Sequence, residues 1–360
     1  MKYFIFYIVT VFVPVFSGIA LVNYTLDPGH IYQSQKYIDK VIEGIREGYK
    51  VEGITDIDER TYKLQFAELH KGESFDYLAL GSSRIMTVSK DILHGSSFLN
   101  LSVSSCQIEE LIAFYQICKD FNIHYSNLLI SADPYVFNGH YIDDRWKCLG
   151  DYVNEYMGKD VTGQRIDWDI LWNLFSVSYF KTALHSCMTD NNNLKYVKTA
   201  INNEGETFRT DGSFCWSRSI REAPQSIIDG KARTMHFHTF KNFYDISEDR
   251  IALFTKLLED IKADGVNVYL VRSPFHPIYY KELIKLKGVL EAFDFIENYA
   301  RKNNIPLIGN YNPVKEGLCG SDFYDGPHVR KEVLDRIVER ELFLKYVHFG
   351  NTGHINPETF

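Results

Sequence analysis

The 360-residue chain has no Lys/Arg-rich block, no C-x-x-C pair, no internal repeat and no low-complexity tract. Without clustered cations, and with a formal net charge of −8, it lacks the electrostatic footprint of a nucleic-acid binder. Its six cysteines, Cys106, Cys118, Cys148, Cys187, Cys215 and Cys319, are scattered and share no ligand-like spacing with histidine, which argues against zinc. His236 and His238 alternate as strand residues do, yet they have no carboxylate or cysteine partners in the sequence pattern. No metal and no cofactor are therefore expected. One or two disulfides are open to an exported domain, but sequence does not pair the cysteines.

Charge is also missing from Tyr3 to Val22, twenty residues rich in Phe, Ile, Val and Tyr. That length crosses a bilayer as a helix. Lys2 and the amino terminus precede the run and the next charge is Asp27, so the asymmetry favours a cytoplasmic N-terminus with the rest of the chain periplasmic or extracellular. A cleaved signal peptide is the alternative. The length of the run, and the lack of a small-x-small site just after it, favour a retained single-pass anchor. Pro14 is tolerated there as a kink.

What is present beyond the anchor is alternation of strand and helix. Tyr37 to Tyr49 and residues 61–70 read as helices. Short apolar runs at Tyr77–Leu80, Phe98–Val103, Asn127–Ser131, Val266–Val271 and Pro306–Gly309 read as strands. Between them, Glu109–Phe121, Ser247–Ala263, Leu286–Asn303 and Arg330–Tyr346 carry apolar residues at helical spacing; Ile251, Phe254, Leu257, Leu258 and Ile261 share one face. Ser247 and Asp249 are candidate caps. The pattern predicts a three-layer α/β/α domain on a parallel sheet of about five strands. The expected layout is an anchor over 1–23, a linker with N-terminal helices over 24–74, the α/β domain over 75–346 and a tail over 347–360. Residues 139–244 break the alternation and read as an insertion of mixed helix and loop bordering the catalytic edge.

Chemistry is expected where the first strand ends. Tyr77–Leu80 runs into Gly81-Ser82-Ser83-Arg84, a turn that lifts a small hydroxyl residue to the carboxyl edge of the sheet, where ligands gather in open α/β folds. A serine there needs a base. Asp325-Gly326-Pro327-His328, just before the last helix, supplies an imidazole and an acid three residues apart that share one loop. Ser83 would be the nucleophile, His328 the base, and Asp325 the group that orients the ring. Singly, Ser83 also suits a turn serine capping the next helix, and Asp325 an N-cap; it is the joint placement that points to catalysis.

Three blocks, Gly81-Ser82-Ser83, Asn100 to Ser105 and Asp325 to His328, resemble in order and setting those of the SGNH (GDSL-type) hydrolases. The anchored layout, the Gly-Ser-Ser form and the phrase Phe323-Tyr324-Asp325-Gly326-Pro327-His328 are similar to the DltD and alginate-acetylation branch. The resemblance covers residues 75–345 in outline and implies an SGNH/flavodoxin-like fold with a Ser83–His328–Asp325 triad. It also implies oxyanion donors near Ser105, which stands at a family glycine, and Asp133, which stands where the family has an asparagine. A carboxylate at Asp133 would repel an oxyanion unless protonated or turned away.

Arg84 would bind an anionic substrate or pair internally with Asp133, Glu109 or Glu110. His276, with Phe275, Tyr279 and Tyr280, is expected on the rim against substrate, and Asn100 between the first two loops as a structural brace. The expected activity is serine O-acyl transfer or esterase chemistry on O-acyl, above all acetyl, groups of a cell-surface polysaccharide, with a membrane-bound acyl-donor protein implied by analogy alone. The alternatives are a lipid esterase or thioesterase with the same triad, and a non-catalytic scaffold binding glycan or an acyltransferase partner.

Overall fold

The computed structural model describes residues 6, 8–54, 57–92, 95–141, 143–162, 168–189, 194–198, 205–234 and 238–349. The expectations for His236 and most of the C-terminal tail fall outside these residues.

The chain enters through a π-helical stretch, Ile8–Phe12, continued by α1 (Val13–Leu26) with Pro14 in its first turn, where a missing N–H costs nothing. Val9–Leu26 is apolar and long enough to cross a membrane, and almost none of it is buried against protein. The apolar helix therefore extends about one turn beyond Val22. Next come α2 (Ser34–Arg46), β1 (Lys50–Glu52) and α3 (Glu59–Leu69), the last capped by the Asp58 carboxylate accepting from the Arg60 N–H.

β2 (Ser74–Leu80), β3 (Phe98–Asn100), α4 (Ile108–Asp120) and β4 (His124–Ser131) open the main domain. The insertion contributes α5 (Gly150–Met157), α6 (Trp168–Leu174), α7 (Val177–Thr189), β5 (Lys195–Val197), β6 (Thr207–Phe208), β7 (Phe214–Cys215) and α8 (Gln225–Thr234). Then follow α9 (Glu248–Ala263), β8 (Asn267–Val271), α10 (Pro277–Leu283), α11 (Lys287–Lys302), β9 (Leu307–Ile308) and α12 (Lys331–Phe349). Of the two candidate caps, Ser247 is the one that begins α9, its hydroxyl accepting from Arg250 N–H.

The central sheet has five parallel strands in the order β3-β2-β4-β8-β9. Side chains alternate across it, as the strand period requires. Leu78, Leu80, Leu128, Ile130, Val268 and Leu270 join the large core with α4, α9 and α11 on one face. Ala79, Leu129, Val271 and Ile308 join Val333, Leu334, Ile337 and Val338 of α12 on the other. The fold is α/β in three layers, with one apolar N-terminal helix.

The insertion holds more than helix and loop. β1, from the segment before the domain, pairs antiparallel with β5 and β6, and β6 with β7, in a second sheet of four strands ordered β5-β1-β6-β7.

Candidate active site

The edge where β2, β3 and β4 end is built by close approach. Gly81 follows β2 with φ of 147°, and a Cβ there would lie 2.3 Å from that of Ser131 at the end of β4. On the other side, Leu101 N–H and Val103 N–H donate to the carbonyls of Ala79 and Gly81 (both 2.9 Å), which carries the chain after β3 along the same rim. Asn100 braces the turn beyond the serines. Its amide donates to the carbonyls of Ile85, Met86 and Val88, and its oxygen accepts from Ser102 N–H. This is the structural role expected of it.

The two serines divide the work. Ser82 is buried and its hydroxyl accepts from Arg84 N–H. Ser83 Oγ lies 2.8 Å from His328 Nε2. Both carboxylate oxygens of Asp325 lie 2.9 Å from His328 Nδ1, and Oδ1 also accepts the His328 N–H at 2.9 Å. A proton on Nδ1 satisfies Asp325 and leaves Nε2 to accept from the serine.

The loop is held shut by Tyr324 N–H donating to His328 O (2.8 Å) and by the Phe323–Val329 bridge. Burial acts to raise the Asp325 carboxyl, but the adjacent imidazole, its two hydrogen bonds and Lys231 outweigh it and hold the group below its ordinary value. Asp325 is thus a carboxylate, poised to stabilise an imidazolium.

Ser105 adopts φ of 49°, the left-handed conformation that favours glycine, so the turn keeps that geometry with a serine in place. Among the described residues, no hydrogen bond engages the backbone N–H of Ser83 or of Ser105. The sequence reading missed what holds this second turn. Buried Arg60 donates to Ser104 O at 2.6 Å and to Glu110 Oε1 at 2.8 and 3.0 Å. Burial raises the Glu110 carboxyl against the opposing pull of Arg60.

Of the two roles open to Arg84, the structure takes the internal pair with Asp133, and the substrate role is corrected: Arg84 is buried, pairs with Asp133 at 2.9 Å, donates to the Ser273 carbonyl and lies 3.7 Å from the Phe275 ring centroid. The tertiary fold chose the internal pairing because both charges leave water together. Asp133 is accordingly turned away from the rim, its other oxygen accepting from the Ser131 hydroxyl at 2.6 Å. Glu109 and Glu110 pair instead with Arg250 and Arg60.

His276 is not a rim residue either. It is 1% exposed and caps α10 through Nδ1, which accepts from Ile278 N–H. Burial lowers its pKa, against the pull of Asp229. Phe275 and Tyr279 are likewise buried, and Tyr280 is half-buried against Phe293.

The aromatic group beside the triad is Trp216, from the insertion, whose ring centroid is 5.1 Å from that of His328. Trp216 also lines a cleft of about 420 Å³ with Lys50, Lys90, Arg209, Arg221 and Lys331, five cations against the carboxylates of Asp91, Asp211 and Glu332. No cluster of His, Cys, Asp and Glu suited to a metal ion occurs among the described residues.

A family model described as "Protein of unknown function (DUF1574)" matches residues 67–346, which span the whole parallel sheet and all three triad residues. The chain belongs to the DUF1574 family. In this DUF1574 protein the match begins within α3 and ends within α12, so the apolar N-terminal helix lies outside it. No curated protein matches the chain.

Proposed function

We propose that this DUF1574 protein is a membrane-anchored serine enzyme of SGNH type that transfers an O-acyl group, above all acetyl, to or from a cell-surface polysaccharide outside the cytoplasm. The observation that carries the reading is the 2.8 Å contact between Ser83 Oγ and His328 Nε2, with Asp325 on the far side of the ring.

In this reading His328 Nε2 takes the Ser83 proton as Oγ attacks the acyl carbonyl. The bond from the carbonyl carbon to the leaving oxygen then breaks, and that oxygen takes the proton from His328. A hydroxyl of the acceptor next gives its proton to Nε2 and attacks the acyl-serine, and Ser83 recovers the proton as it leaves. The N–H groups of Ser83 and Ser105 serve as oxyanion donors. Asp133, committed to Arg84, adds none, so the rate falls short of a three-donor hole by about a hundredfold or more.

Trp216 beside His328 suits stacking on a sugar ring, and the cations of the neighbouring cleft support an acidic polymer as acceptor. The role the sequence suggested for Arg84 passes to that cleft. Transfer is favoured over hydrolysis in this reading because an anchored α1 would hold the domain near a membrane-bound acyl donor, a partner implied by analogy alone.

The test is labelling with a serine-reactive fluorophosphonate. The wild-type chain is expected to label, and Ser83→Ala and His328→Ala to lose labelling while keeping the same circular dichroism. Labelling that survives both substitutions removes the catalytic assignment.

A further inference from the structure

α1 carries one polar side chain in its apolar run that faces protein. Asn23 is fully buried, and its amide donates to the carbonyls of Asn173, Leu174 and Ser176 at 3.2, 2.8 and 3.1 Å. Those carbonyls lie at the C-terminal end of α6 and in the turn into α7; Asn173 O also accepts from Ser176 N–H and Ser176 O from Phe180 N–H, so Leu174 O is the helix-end group for which Asn23 is the donor. In a bilayer such groups have no water to bond, so a donor supplied from the spanning helix is what lets a helix end sit at that depth.

Further attachments lie just beyond. The Tyr179 hydroxyl of α7 donates to Asp27 Oδ1 at 2.7 Å and accepts from Gly29 N–H at 3.0 Å; the Tyr32 hydroxyl donates to Ile170 O at 2.8 Å. The α6–α7 hairpin is thus bolted to the end of the span rather than to the catalytic sheet.

Its outer surface is apolar. Among the described residues, seven of the twelve exposed large apolar side chains beyond α1 lie between Ile170 and Met188, with Trp172 69% and Met188 80% exposed. From Ile170 to Thr189 the one formal charge is Lys181. An apolar patch of this kind on a water-soluble face is unfavourable. On a hairpin continuous with a spanning helix it has an occupant at hand.

We infer that α6–α7 is a second membrane element, an interfacial hairpin whose apolar face, including Ile170, Leu171, Trp172 and Phe175, is immersed in lipid of the leaflet where α1 ends. Trp172 sits at the depth of the headgroups, where indole is favoured. The inference rests on the anchored reading of α1, not on the catalytic one. Its consequence is a two-point attachment: the domain does not swing about a single linker.

The experiment uses the full-length chain in vesicles of phosphatidylcholine and phosphatidylglycerol, with brominated acyl chains as quenchers of tryptophan fluorescence. Alkaline extraction first establishes that the chain is integrated. The difference spectrum between wild type and Trp172→Phe is expected to be quenched by brominated lipid. Indole emission from Trp172 that brominated lipid leaves unchanged, in an integrated chain, overturns the hairpin while leaving the anchor standing. A chain that alkali strips from the vesicles overturns both.

Discussion

His276 donates its backbone N–H to the carbonyl of Gly326 at 2.8 Å, which ties the loop after β8 to the loop that carries Asp325 and His328. The histidine that sequence placed on the rim is part of the scaffold that aims the triad. Gly326 packs so closely on α10 that a Cβ would lie 2.5 Å from Cδ2 of Tyr279. Gly326→Ala is therefore expected to push the loop outward and misplace His328. A displacement near 1 Å costs about a hundredfold in rate. Fluorophosphonate labelling should slow by that order while the melting temperature changes little. An unchanged labelling rate would show that the loop tolerates the shift.

Arg84 and Asp133 are both nearly inaccessible and neutralise each other beneath the Ser82-Ser83 turn. Removing one partner strands the other charge. Arg84→Met is expected to destabilise the fold by about 3–5 kcal/mol, read as a lowered midpoint in urea unfolding. The double variant Arg84→Met with Asp133→Leu should recover part of that loss. If the single variant unfolds at the wild-type midpoint, the pair does not hold the edge.

Lys63 lies wholly inside the protein, where its ammonium donates to the carbonyls of Asn100 (2.7 Å) and Gly212 (2.5 Å). Burial lowers its pKa to about 7, against the carboxylates of Glu59 and Asp211. Below that value both folded and unfolded chains hold the proton and the burial penalty is felt in full. Between about 7 and the ordinary lysine value near 10.4, only the unfolded chain keeps it, so stability rises with pH. Melting temperatures from pH 6 to 9 should climb more steeply in wild type than in Lys63→Met. Parallel curves would contradict the assignment.

The Asn23 amide donates to three carbonyls around the α6–α7 turn, two of which also accept a backbone N–H. Asn23→Leu leaves Leu174 O unpaired, at about 1–3 kcal/mol. The expected outcome is faster limited proteolysis between α6 and α7 in detergent-solubilised protein, with the α/β domain intact. Proteolysis at the wild-type rate would place the grip on the hairpin elsewhere.

The parallel strands were legible because each is a short apolar run ended by Gly, Ser or Pro, and the helices because their apolar faces repeat at the right spacing. The meeting of Ser83, Asp325 and His328 was legible too, since strand-end and loop positions put them at one edge. The small second sheet was not. β6 and β7 have two residues each, too few to show a period, and β1 pairs with a strand about 145 residues away. Nor could sequence decide between a substrate role and an internal pair for Arg84, because the deciding partner comes from another strand. Trp216 and Arg60 had no local signal. Each matters only through what tertiary packing sets beside it: His328 in one case, Glu110 and Ser104 in the other.

The proposed chemistry requires that Ser83 become acylated. Incubation of the full-length protein with p-nitrophenyl acetate, acid quenching and peptide mapping by mass spectrometry tests it directly. An acetyl adduct is expected on Ser83, retained in Ser82→Ala and lost in His328→Ala. A folded wild-type chain with no adduct, or an adduct that persists on this peptide in Ser83→Ala, would contradict it.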